Sequence, residues 1–267
     1  MIDTSFGETY VRAQGPVEGP PLVLLPGDSE NSLAWMPVIA SLSRRHRCFA
    51  VDPIGDHGRS IHRRRPRSGA DYTRWLDELF DGLGLSEVRL VAHSHGGWQA
   101  ATYALAHPER LSRLVLLAPA ATVLRPPKGL LLRAIVYQLV PARAVTKWYF
   151  RWYDPVAASD QRTRVAIDEL VEHDLLARRC FKRKKFVRPR VLSDEEWRLL
   201  RVPTLFLVGD QEVTYSAHRA VERLAAVAPD VEAKVIPHAD HHLTIVAPES
   251  LATAILMFLD DDRSPET

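Results

Sequence analysis

Short apolar runs recur along the chain, each closed by turn residues. Leu22, Val23, Leu24 and Leu25 stop at Pro26 and Gly27, and residues 48–51 stop at Asp52 and Pro53. Residues 88–92, 114–117, 204–208 and 233–236 also read as strands, with Arg89 and Lys234 interrupting the first and the last. Continuous rather than alternating apolarity suits strands buried on both faces. Residues 9–13 predict an opening edge strand. Other stretches carry a helical period. Over residues 71–83, Tyr72, Trp75, Leu76, Leu79, Phe80 and Leu83 share one face, with Asp71 placed to cap the start. Residues 96–107 predict a helix ended by Pro108, and residues 216–227 predict another. A last helix over 248–259 opens with Pro248, whose missing N–H would be unpaired there anyway. Strands alternating with helices predict an α/β fold: a mainly parallel central β-sheet with helices on both faces. In such sheets reactive groups sit on loops beyond the carboxyl ends of the strands.

The alternation pauses for about eighty residues. Residues 1–120 and 201–267 therefore read as one core domain, and residues 121–200 as a helical insertion. Within it residues 130–139 are apolar and helix-like, and Trp148, Tyr149, Phe150, Trp152 and Tyr153 form an aromatic cluster. Charge also marks the insertion. Residues 121–201 hold 18 Lys and Arg against nine Asp and Glu, although the whole chain has a net charge of only +2. A balance that small predicts no nucleic-acid or membrane partner. Residues 178–190 are strongly basic around Phe181 and Phe186. They read as a solvated helix face, or as a dock for an anionic part of a substrate or an acidic carrier protein. Two cysteines do not make a disulfide framework; Cys48 reads as a packed core thiol, and Cys180, in a basic stretch, as a packed thiol or else a reactive one. No signal stretch or membrane-length apolar run is present, so a cytoplasmic location is expected. The tail over residues 260–267 is polar and expected to fray.

One junction carries chemistry. Leu90, Val91, Ala92, His93, Ser94, His95, Gly96, Gly97 and Trp98 join a strand to a helix through a serine flanked by small residues. A tight turn there would expose the hydroxyl at a helix N-terminus, whose N–H groups favour developing negative charge. This run resembles the nucleophile elbow of the α/β-hydrolase family, usually G-x-S-x-G, with Ala92 in the first Gly position. Ile236, Pro237, His238, Ala239, Asp240, His241 and His242 resemble the family's G-A-G-H loop. The resemblance implies His241 as general base, with His242 and His238 as rivals. Gly209, Asp210, Gln211 and Glu212 match the acid loop, implying Glu212 as the group that orients the imidazole and Asp210 as the alternative. The order Ser94, Glu212, His241 is that of the family.

Oxyanion donors are implied at the backbone N–H of His95 and, in the loop after residues 22–25, at Asp28. The family usually has His-Gly before that donor, and here it is Pro26-Gly27. A carboxylate at 28 would repel an oxyanion, so its side chain is expected to turn away or be paired. His93 and His95 flank the nucleophile and are possible accessory proton shuttles, or ordinary packing. The loop from Asp52 to Ser60 reads as a structural turn, with His57 and Asp56 as a decoy acid–base pair. The insertion falls where this family carries a lid, and some of its rings would line the pocket. Members closest to this pattern are carboxylesterase-like. The expected activity is hydrolysis of a small or medium carboxylic ester through an acyl-enzyme on Ser94. Alternatives are a biosynthetic thioesterase, acyl transferase or lyase with the same triad, and a ligand-binding protein with little turnover. With no metal-ligand spacing or phosphate-binding glycine loop, no cofactor is expected.

Overall fold

The structure is a computed structural model describing residues 1–181 and 187–261. Phe186 and the tail beyond 261 lie outside the described residues, as do the lysines and arginine of 182–185. The chain opens with β1 (Ile2–Thr4), β2 (Gly7–Thr9), β3 (Val11–Gln14) and β4 (Pro21–Leu25), followed by α1 (Met36–Leu42) and β5 (Arg47–Val51). Next come β6 (Ile61–His62), α2 (Gly69–Gly82), β7 (Val88–His93), α3 (Ser94–Ala106) and β8 (Leu111–Leu117). The insertion supplies α4 (Lys128–Leu139), α5 (Arg143–Tyr153), α6 (Pro155–Ser159), α7 (Gln161–Cys180) and α8 (Asp194–Leu199). The chain then returns through β9 (Thr204–Gly209), α9 (Ala217–Val227), β10 (Glu232–Ile236), α10 (Leu243–Val246) and α11 (Pro248–Leu259).

Seven strands form the central sheet in the order β10-β9-β8-β7-β4-β5-β3. All neighbours run parallel except β3, which pairs antiparallel with β5 at one edge. Side chains alternate across each strand and feed two cores. Val23, Leu25, Leu90, Ala92, Leu116 and Phe206 pack with residues of α2, α3 and α9 on one face. Leu22, Leu24, Val91, Val115, Leu117 and Leu205 pack with α1 and α11 on the other. Double coverage is why residues 22–25, 114–117 and 205–208 read as unbroken apolar runs, while β10, at the sheet edge, alternates.

Several expectations are corrected locally. The single strand over 9–13 is two, β2 and β3, broken at Tyr10, and β2 belongs to a separate three-stranded sheet with β1 and β6. Helix α2 is capped by Ser68, whose hydroxyl accepts the Asp71 N–H at 3.2 Å. Asp71 sits in the first turn and accepts the Arg67 N–H at 2.8 Å instead. Cys48 is buried as expected, but Cys180 is exposed at the end of α7. Among the described residues no helix is long and apolar enough to cross a membrane. Within the insertion, α5 and α6 both pack on α7.

Candidate active site

Ser94 sits where β7 ends and α3 begins, with φ of +50°, in the left-handed region that costs an L-residue strain. The strain is held by crowding. A Cβ on Gly96 would come within 2.3 Å of the Pro26 carbonyl oxygen and 2.8 Å of that of Leu25. One on Gly27 would lie 3.2 Å from Ser94 Cβ. Small residues are thus what let the loop after β4 close over the serine.

Three loops, from β7, β9 and β10, bring together the residues implied by the sequence. His241 Nε2 is 2.8 Å from Ser94 Oγ, and His241 Nδ1 is 2.7 Å from Glu212 Oε2. A carboxylate only accepts, so Nδ1 carries the proton and Nε2 offers its lone pair to the serine hydroxyl. All three residues are buried. Burial alone would raise the Glu212 pKa. The His241 ring beside it and the Thr214 N–H, 2.6 Å from Oε1, outweigh that and hold it below the usual glutamate value. The rings of Tyr153, from α5, and His241 meet edge-to-face with centroids 4.8 Å apart. The aromatic cluster of the insertion therefore reaches the site through this residue.

The rivals have other partners. Asp210 Oδ1 accepts the Ala239 N–H at 3.1 Å and so fixes the base loop. His238 is exposed, with φ of +53°. His242 is buried and faces Glu30 and Asp154. His93 Nε2 donates to the His241 carbonyl at 2.9 Å and its Nδ1 meets Glu30 at 3.2 Å. His95 Nε2 donates to the Val187 carbonyl at 3.0 Å, and its Nδ1 accepts from Gln99 at 2.9 Å. Both rings flanking the nucleophile thus hold neighbouring groups in place.

In the loop after β4, Asp28 Oδ2 accepts the Ser29 hydroxyl at 3.2 Å, so its carboxylate is paired as expected. Asp56 Oδ2 accepts the Ser29 N–H at 3.2 Å, while the His57 ring lies 5.2 Å from that of Phe181. Asp56 therefore braces the loop after β4. Asp52 takes the backbone N–H groups of Ser32 and Arg59, both at 2.8 Å, as a structural turn should. Tyr153 comes from the aromatic cluster expected to line the pocket, but Glu30 and Asp154 were not singled out from the sequence. Nothing in their local pattern marks them, because only the fold brings three distant segments together.

Comparison with known proteins decides the family. An uncharacterized carboxylesterase, nap, of Bacillus subtilis is 33% identical over 97% of this chain and 85% of its own. The chain belongs to the α/β-hydrolase family. The family model for the α/β-hydrolase fold matches residues 20–144. The B. subtilis carboxylesterase YbfK is 32% identical over 97% of this chain and 86% of its own. Among solved structures, the B. subtilis naproxen esterase superposes with a TM-score of 0.87 at 32% identity, covering 97% of this chain and 90% of that one. In this α/β-hydrolase, as the sequence implied, the buried parallel sheet presents Ser94 at the head of α3.

Proposed function

We propose that this α/β-hydrolase is a serine carboxylesterase with Ser94 as nucleophile, His241 as base and Glu212 as the group that orients His241. The observation that supports this most is the unbroken buried chain from Ser94 Oγ through His241 to Glu212, at 2.8 and 2.7 Å. Carboxylesterase relatives over nearly the full length support ester hydrolysis over the acyl-transfer and ligand-binding alternatives.

Ser94 Oγ bonds to the ester carbonyl carbon as its proton passes to His241 Nε2. Negative charge then develops on the carbonyl oxygen, to be met by the N–H groups of His95 and Asp28. The intermediate collapses, the C–O bond to the alcohol breaks, and His241 returns the proton to the leaving oxygen. Water, deprotonated by His241, attacks the acyl-enzyme. The acid leaves as Ser94 regains its proton. Glu212 stabilises the imidazolium in both halves.

The insertion acts as the lid, with Tyr153 beside the base. Anion docking at the basic stretch has weak support. Arg178 is paired with Asp174 at 2.7 Å and Arg190 with Glu196, so two of its cations are already spent. Turnover of p-nitrophenyl esters tests the reading. Ser94→Ala and His241→Ala should each lower kcat by at least about 10,000-fold while the variants stay folded. Substantial turnover by folded Ser94→Ala would contradict it.

A further inference from the structure

The base loop carries a buried ionisable residue on each side of His241. Asp240 Oδ2 accepts the N–H groups of Val156 and Ala157, at 3.0 and 2.9 Å, at the start of α6. His242 Nδ1 is 2.6 Å from Asp154 Oδ1, and its Nε2 is 3.0 Å from Glu30 Oε1. Ionised carboxylates only accept, and a neutral imidazole donates through one nitrogen only. Pairing on both sides therefore calls for the doubly protonated ring. Glu30 also accepts the Gly27 N–H at 2.6 Å and meets His93 Nδ1 at 3.2 Å. His93 in turn donates to the His241 carbonyl. The His242 cation thus sits where the insertion, the loop after β4 and the base loop converge.

We propose that His242 is a positioning residue: held as a buried imidazolium between Glu30 and Asp154, it locks the loop bearing Gly27 and Asp28 against the base loop and ties the insertion to both. The inference rests on the serine esterase reading above. Removing the cation leaves the buried Asp154 carboxylate and the partly buried Glu30 carboxylate without their common partner, and charges left so away from water are strongly unfavourable. They would separate or take up protons, and the Gly27 N–H would lose its fixed anchor. A loop that carries an oxyanion donor would then wander. Misplacement by about 1 Å costs roughly 100-fold in rate even when the change lies away from the chemistry.

The groups facing His242 are Glu30, Asp154, the adjacent carboxyl of Asp240, and the rings of His93, His241 and Tyr153, centred 5.6, 5.6 and 6.2 Å away. Burial alone would strip the ring of its proton. Asp154 and Glu30 outweigh it and hold the pKa well above the usual histidine value. Removing the Asp154 charge should let it fall back toward neutrality.

Two measurements test the proposal. In 15N-histidine-labelled protein at pH 8, His242, assigned by the loss of its signals in His242→Gln, should show both ring nitrogens protonated. In kinetics on a p-nitrophenyl ester, His242→Gln should lower kcat about 100-fold with little change in KM, equally across alkaline pH. Asp154→Asn should instead add an alkaline decline in kcat beginning near neutrality, absent from wild type. A neutral His242 ring at pH 8 in wild type overturns the proposal, whether or not the variants fold. So does a folded His242→Gln with wild-type kcat. Failure of the esterase reading shows separately, as wild type whose Ser94 takes no fluorophosphonate label.

Discussion

Glu212 and Asp210 sit two residues apart in one loop, yet they do different work. Asp210 spends its carboxylate on the backbone of Ala239, while Glu212 faces His241 and stays ionised below the usual glutamate range. Glu212→Gln keeps the shape and removes the charge. It should lower kcat roughly 1,000- to 10,000-fold without loss of fold, because the imidazolium formed at each proton transfer loses its counter-charge. Steady-state kinetics with a melting curve check this; a fall under tenfold would show that Glu212 is not the orienting acid. Ser94, Glu212 and His241, which the structure brings together, were legible in the sequence because each follows a predicted strand in the family's order. Glu30 and Asp154 were not, because nothing local separates a paired carboxylate from its surface counterpart.

At the scale of elements, the turn between β7 and α3 does more than lift Ser94. It brings α3 under the loop after β4 so closely that only glycine fits at position 96. Gly96→Ala would push its methyl into the carbonyls of Leu25 and Pro26, which are backbone and cannot rotate away. The expected cost is about 1–3 kcal/mol in urea unfolding, with a fall in kcat as the loop bearing Asp28 shifts. Wild-type stability and kcat together would contradict this packing. The central strands over residues 22–25 and 114–117 were readable because coverage on both faces leaves an unbroken apolar run. The short strands β1, β2 and β6 were not. Two or three residues at a sheet edge carry no period, and their pairing is decided by the chain around them. The cap of α2 was misassigned for a related reason: Ser68 and Asp71 both suit a helix start, and the turn geometry chooses between them.

Over the whole molecule, the helices between β8 and β9 are fastened to the base loop. Asp240 holds the start of α6, and His242 holds Asp154 at the end of α5. The Asp240 carboxyl is pushed up to about 6 by burial and by the nearby Asp154 charge. Its folded pKa lies above its ordinary 3.8, so ionising it opposes folding. The penalty is absent below pH 3.8, grows between 3.8 and about 6, and is complete above that. Asp240→Asn keeps an acceptor for the two N–H groups and removes the charge. Relative to wild type it should gain up to about 3 kcal/mol between pH 4 and pH 7.5, read from urea unfolding at both. A stability difference that does not change with pH would contradict this. The pause in alternation between β8 and β9 was readable in the sequence, but how the helices between them attach depends on contacts between segments about eighty residues apart.

The central claim is that Ser94 is a nucleophile activated by His241. Intact-mass measurement after exposure to a small fluorophosphonate tests it most directly, on wild type and Ser94→Ala side by side. A single adduct on wild type and none on the folded variant is the predicted result. An unlabelled, folded wild type, or equal labelling of both proteins, would contradict the claim.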